Sequence, residues 1–65
     1  MPQIEVFESK NEQPLCVSEF VFLPRVGEYI SKEVRGYFSY YNVVEVWHRE
    51  EAGSFVTCIR VQLED

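Results

Sequence analysis

The residues of this 65-residue chain whose types could do chemistry are few: the single histidine His48, the thiols of Cys16 and Cys58, and two carboxylate pairs, Glu50 with Glu51 and Glu64 with Asp65. A metal site needs three or four converging ligands, and His48 with the adjacent carboxylates offers an incomplete set at the wrong spacing. A cysteine nucleophile needs a base or a positive neighbourhood to form its thiolate. Neither cysteine sits in an activating motif, so the expected roles are structural thiols and a strand histidine. General acid catalysis needs burial or a like charge to raise a carboxyl pKa. Glu50 and Glu51 fall in an expected exposed turn and Glu64 and Asp65 at the end of the sequence, so both pairs read as solvated charge. Gly27, Gly36 and Gly53 are isolated and form no phosphate cradle. The expectation is a protein that is not an enzyme, with no cofactor, no metal and no small-molecule substrate.

The elements that position these residues follow from patterning. β-Branched and aromatic residues alternate with polar ones, and no long stretch keeps a helical period. A first strand is expected around Ile4, Val6 and Phe7, ending in the polar loop 9–14. A second strand over 15–23 leads to a turn marked by Pro24 and Gly27, in which the apolar Val26 is expected to fold back and plug one end of the fold. Arg25 and Glu28 should stay in solvent. Extended structure resumes at Tyr29 and Ile30, and the segment 31–35 before Gly36 predicts one short helical turn.

The run 37–49 is too long for one flat strand. Tyr41 and Val43 share one parity and Val46 and His48 the other, so a β-bulge near Val44 and Glu45 is expected. In the last strand Phe55, Thr57, Ile59, Val61 and Leu63 share one face, while Val56, Cys58, Arg60 and Gln62 share the other. Between these two strands, loop 50–53 has the length and terminal glycine of a hairpin built on a type I turn, pairing 43–49 antiparallel with 54–60. Bulges of this kind bend a strand enough to turn a barrel corner. The expected fold is therefore all-β, a single small barrel of about five antiparallel strands over 1–65.

The residues Leu23-Pro24-x-x-Gly27-Glu28-x-Ile30, followed by Tyr41-x-Val43-x-x-Val46, resemble a pattern of short, uncharacterised bacterial and phage proteins with an SH3-like barrel. The resemblance spans about a third of the chain and implies a fold, not an activity. The Ala-Leu-Tyr-Asp-Tyr start and the Trp-Trp pair of signalling SH3 domains have no counterpart here, so their proline-peptide groove is not implied.

Composition bounds function further. A chain this short is one domain that buries only about 60% of its unfolded surface, and its five Phe, four Tyr and one Trp supply much of the apolar area. The start "MPQIEVFESK" has no signal-peptide pattern, and no run approaches the roughly 20 apolar residues of a membrane span. The expected location is cytoplasmic, and no membrane partner is expected. Cys16 and Cys58 are expected as reduced thiols, with a single bridge tying the second strand to the last as the alternative.

The formal net charge of −5 and scattered basic residues speak against a nucleic-acid partner. The favoured function is a protein–protein interaction module, or an accessory or inhibitor protein, whose partner is another protein or a second copy. Trp47 has outward parity beside Glu45 and Arg49, and tryptophan is enriched at binding hot spots. With Tyr37 and Tyr40 these residues form the candidate partner-binding set. The alternative is a nucleic-acid-associated barrel using Lys32, Arg35 and the nearby aromatics.

Overall fold

The computed structural model describes residues 3–64, so Asp65 of the second carboxylate pair lies outside the described residues. Five strands follow one another: β1 Gln3–Glu8, β2 Cys16–Glu19, β3 Tyr29–Val34, β4 Tyr37–Glu51 and β5 Ser54–Leu63. Among the described residues there is no helix, and hence none long and apolar enough to cross a membrane.

Two tight turns shape the β3–β4–β5 meander. Arg35 and Gly36 have φ of 53° and 86°, and Ala52 and Gly53 have φ of 52° and 84°. Positive φ at both central residues marks the type I′ turn, whose twist matches that of the flanking strands. The expected helical turn at 31–35 is thus corrected: Ser31 to Val34 pair with Tyr40 to Tyr37, because a two-residue turn at Arg35 and Gly36 lets the ladder run to its end. Loop 50–53 is likewise tighter than the expected type I connection, since Glu51 pairs with Ser54.

The strands form one sheet in the order β2-β1-β5-β4-β3. The expectation of purely antiparallel pairing is corrected at its centre, where β1 and β5 run parallel, with Val6 beside Ile59 and Glu8 beside Val61. Parallel neighbours need a long crossover, and here the whole β2–β3–β4 segment supplies it. The expected bulge is present: the β4–β5 register shifts between Val43 and Glu45. It turns Tyr41 and Val43 to the same side as Val46, and the sheet curls into a half-barrel.

Ile4, Val6, Tyr41, Val43, Ile59 and Val61 are the buried core on the concave side, with Cys16, Phe20, Ile30 and Val46 packed against them. Each fully buried aliphatic side chain contributes about 1.5–3 kcal/mol. The second strand ends at Glu19, short of the expected residue 23, and the chain crosses to β3 as a loop. In that loop Glu28 N–H donates to the Arg25 carbonyl at 3.0 Å and Gly27 has φ 95°, the positive φ that the third position of a type II turn requires. Val26 is 64% exposed, so it does not plug the fold; Pro24 is the buried residue of the turn. A proline has no N–H to leave unpaired there, whereas Val26 sits at the outer corner of the turn.

Both thiols are free. Cys16 stands opposite Val6 on the concave side, and Cys58 stands opposite Glu5 on the convex side. A disulfide between β2 and β5 is excluded by the sheet that separates them.

Candidate functional site

The convex face carries two clusters at opposite ends of β4. At one end the ladder sets Glu5, Cys58 and Trp47 in one row and Phe7, Arg60 and Glu45 in the next. Diagonal neighbours then meet. The rings of Phe7 and Trp47 lie 5.4 Å apart at 37°, and the Arg60 guanidinium covers both, 5.8 Å from the Phe7 ring centre and 5.1 Å from that of Trp47. Arg60 is held there by Glu45 at 3.2 Å and by the Ser9 carbonyl. Arg49 spans β5 to bind Glu5 through both terminal nitrogens at 3.1 and 3.0 Å, and also reaches Glu51 at 2.9 Å. These carboxylates raise the Arg49 pKa.

Cys58 lies beneath this network, its Sγ 3.6 Å from an Arg49 nitrogen. Burial pushes its thiol pKa up, only partly opposed by the Arg49 charge. A thiol raised in this way is a poor nucleophile at neutral pH. Trp47 is half-buried within the cluster, so its outward parity leads it into packing with Phe7 and Arg60.

The other end of the convex face is different in kind. Tyr29 pairs with Asn42, Ser31 with Tyr40 and Glu33 with Phe38, which puts three aromatic side chains on one side of the β3–β4 hairpin. All three are exposed, Phe38 by 61%. Beneath them the Asn42 Oδ1 is buried without a hydrogen-bond partner among the described residues. Tyr37 is exposed at the hairpin tip, opposite Val34 and with the parity of the concave side. The structure therefore groups Trp47, Glu45 and Arg49 and sets Tyr40 apart from them along β4, seven residues from Trp47, about 23 Å of strand at the usual rise.

Sequence reasoning singled out Trp47 and missed its companions Phe7, Arg60 and Glu5. The placement of Arg60 was readable once the bulge set Glu45 opposite it. Nothing local shows β1 lying beside β5, which brings Phe7 and Glu5 to the site. The hairpin residues Tyr29, Phe38 and Asn42 were missed because segment 31–35 read as a turn of helix, which hid their common face.

On the concave side, a cleft of about 320 Å³ separates the two outer strands, lined by Val6, Cys16, Ser18, Phe20, Ile30 and Lys32 among others. It adjoins a second cleft of about 680 Å³ under the loop that crosses from β2 to β3, with Phe20 and Ile30 lining both. Lys32 is half-buried in the first cleft and has no ion-pair partner among the described residues. Arg35 stands at the tip of the β3–β4 turn. Arg25 is bound to Glu28, whose pKa is lowered chiefly by the Arg25 backbone N–H and then by its guanidinium.

His48 Nδ1 lies 3.2 Å from the Thr57 hydroxyl across the β4–β5 ladder. Among the described residues no group of three His, Cys, Asp or Glu side chains could hold a metal ion. Comparisons with protein-family models, with curated proteins and with solved structures found no match for the chain.

Proposed function

We propose that this protein is a non-enzymatic protein-binding module or accessory protein, a small barrel of SH3-like type, which meets its partner through the outer face of the β3–β4 hairpin. The observation that carries the reading is the set of exposed aromatics on one side of that hairpin, Tyr29, Phe38 and Tyr40, with Tyr37 at its tip. Exposed contiguous apolar surface rimmed by polar groups marks interaction sites, and tyrosine is enriched at their energetic centres. The bent, bulged β4 is what supports the small-barrel assignment. A net charge of −5 favours a partner with a basic surface. Free thiols fit a reducing compartment such as the cytoplasm.

The outer cluster around Trp47 serves a structural role in this reading, since its cation and its aromatic rings are already engaged with one another. The basic residues give little support to a nucleic-acid role: Arg25, Arg49 and Arg60 are each paired with glutamate.

The test is affinity capture from native cells with the wild type, a Phe38→Ser/Tyr40→Ser double variant and Trp47→Ala. A partner retained by wild type and by folded Trp47→Ala but lost with the double variant is the expected result. Identical capture by wild type and the double variant would overturn the proposal. Salt-sensitive binding of single-stranded nucleic acid, abolished by Lys32→Glu with Arg35→Glu, would replace it with the nucleic-acid role.

A further inference from the structure

β2 and β3 are the two outer strands of the sheet. Among the described residues, neither outer edge is paired with another strand, so each presents a row of free N–H and C=O groups. Because the sheet is curled, the two edges look at each other. Both line the same cleft of about 320 Å³, yet no Cα of one comes within 8 Å of a Cα of the other. Neighbouring strands lie about 4.8 Å apart, so one strand inserted between two others needs about 9.6 Å. The two edges are thus too far apart for a direct β2–β3 ladder, and the cleft they share leaves open space between them.

We propose that this gap receives an extended segment of a partner protein as a sixth strand, which completes the half-barrel. The chemistry of the cleft specifies the segment. Residues alternate in direction along a strand, so every second side chain of the guest would face the concave core at Val6, Cys16, Phe20 and Ile30 and should be apolar. Lys32 lines the same cleft, half-buried and with no ion-pair partner among the described residues, so one inward position should carry a carboxylate. Main-chain hydrogen bonds to both edges supply affinity, and the side-chain pattern supplies selectivity. β2 and β3 run in opposite directions, so the guest lies antiparallel to one and parallel to the other, a mixed arrangement the sheet already contains at β1 and β5. The site is separate from the hairpin face: Phe38→Ser/Tyr40→Ser changes no residue lining the cleft, so the two proposals fail independently.

The experiment titrates isotope-labelled protein with the acetylated, amidated peptide Thr-Val-Thr-Val-Thr-Glu-Thr and follows amide shifts and hydrogen exchange. Perturbation centred on β2 and β3, with new exchange protection of their outer amides, is expected. N-methylation of alternate peptide residues should weaken binding about tenfold or more, since each blocked hydrogen bond is lost at an edge. Lys32→Glu should weaken binding by about tenfold, and the peptide with lysine in place of glutamate should restore it. No perturbation at millimolar peptide, perturbation centred on another surface, or equal binding of the N-methylated peptide would overturn the proposal. So would concentration-dependent protection of the same amides without peptide, because a second copy would then be the occupant.

Discussion

Arg49 on β4 and Glu5 on β1 are joined by two hydrogen bonds of 3.1 and 3.0 Å, although β5 lies between their strands. The pair passes over Cys58 and ties the parallel half of the sheet to the antiparallel half. A planar guanidinium makes this two-point contact and an ammonium does not. Arg49→Lys and Glu5→Gln should therefore each lower the urea midpoint, and the double variant should fall less than the sum of the two. Additive losses in that double-mutant cycle would show that the pair is not coupled.

Trp47 is held between Phe7 and Arg60. Trp47→Ala should cost about 2 kcal/mol from the lost stacking, cation–π contact and burial. Denaturation followed by circular dichroism reads this loss without needing the tryptophan as a probe. An unchanged midpoint would mean the ring is not part of the folded framework.

The two central residues of the β4–β5 turn, Ala52 and Gly53, respond in opposite ways to substitution. Gly53 has φ 84° with open space where a Cβ would stand, so Gly53→Ala should cost about 1 kcal/mol through backbone strain alone. Ala52 already bears a positive φ of 52°, and Asn-Gly is a preferred type I′ pair. Ala52→Asn should thus stabilise the protein. Thermal midpoints of the two variants should move in opposite directions.

Cys16 is half-buried and Cys58 is buried. A thiol reagent added to the native protein should modify Cys16 first and reach Cys58 only on unfolding. The raised folded-state pKa of Cys58 also sets a sign at high pH. Its neutral form is favoured in the fold, so its contribution to stability is present below the unfolded thiol's ordinary value near 9.0 and fades as pH rises through the higher folded value. Cys58→Ser should flatten that alkaline loss in urea titrations taken at successive pH values.

Glu28 shows the converse. Its lowered pKa means that its contribution is present above the ordinary value near 4.5 and is lost as pH falls through the lower folded value. A carboxyl resonance titration should place its midpoint below 4.5, and removing the guanidinium in Arg25→Ala should move the midpoint upward while the backbone N–H keeps part of the shift.

Much of the fold was legible because parity is a local signal. The alternation of Ile59 and Val61 with Cys58 and Arg60, and the parity change between Val43 and Val46, needed no knowledge of the rest of the chain. The β4–β5 hairpin and its bulge followed from them. What escaped was long-range. Nothing in Gln3–Glu8 states that its neighbour is Ser54–Leu63 or that the two run parallel. The short β2 escaped for another reason: Val21, Phe22 and Leu23 look like strand residues, but they are exposed in the loop beyond Glu19. At the candidate site, the position of Glu45, Trp47 and Arg49 on one face was readable, whereas their engagement with Glu5, Phe7 and Arg60 depends on the pairing of β1 with β5.

That pairing also sets a timetable. Of the five strands β1 is synthesised before the others, but one of its two ladders is completed only by β5, which follows the other four. The nascent chain must therefore carry Ile4, Val6 and Phe7 without their final shelter until Ser54–Leu63 has emerged, and the closing of this loop should be the slow step of maturation.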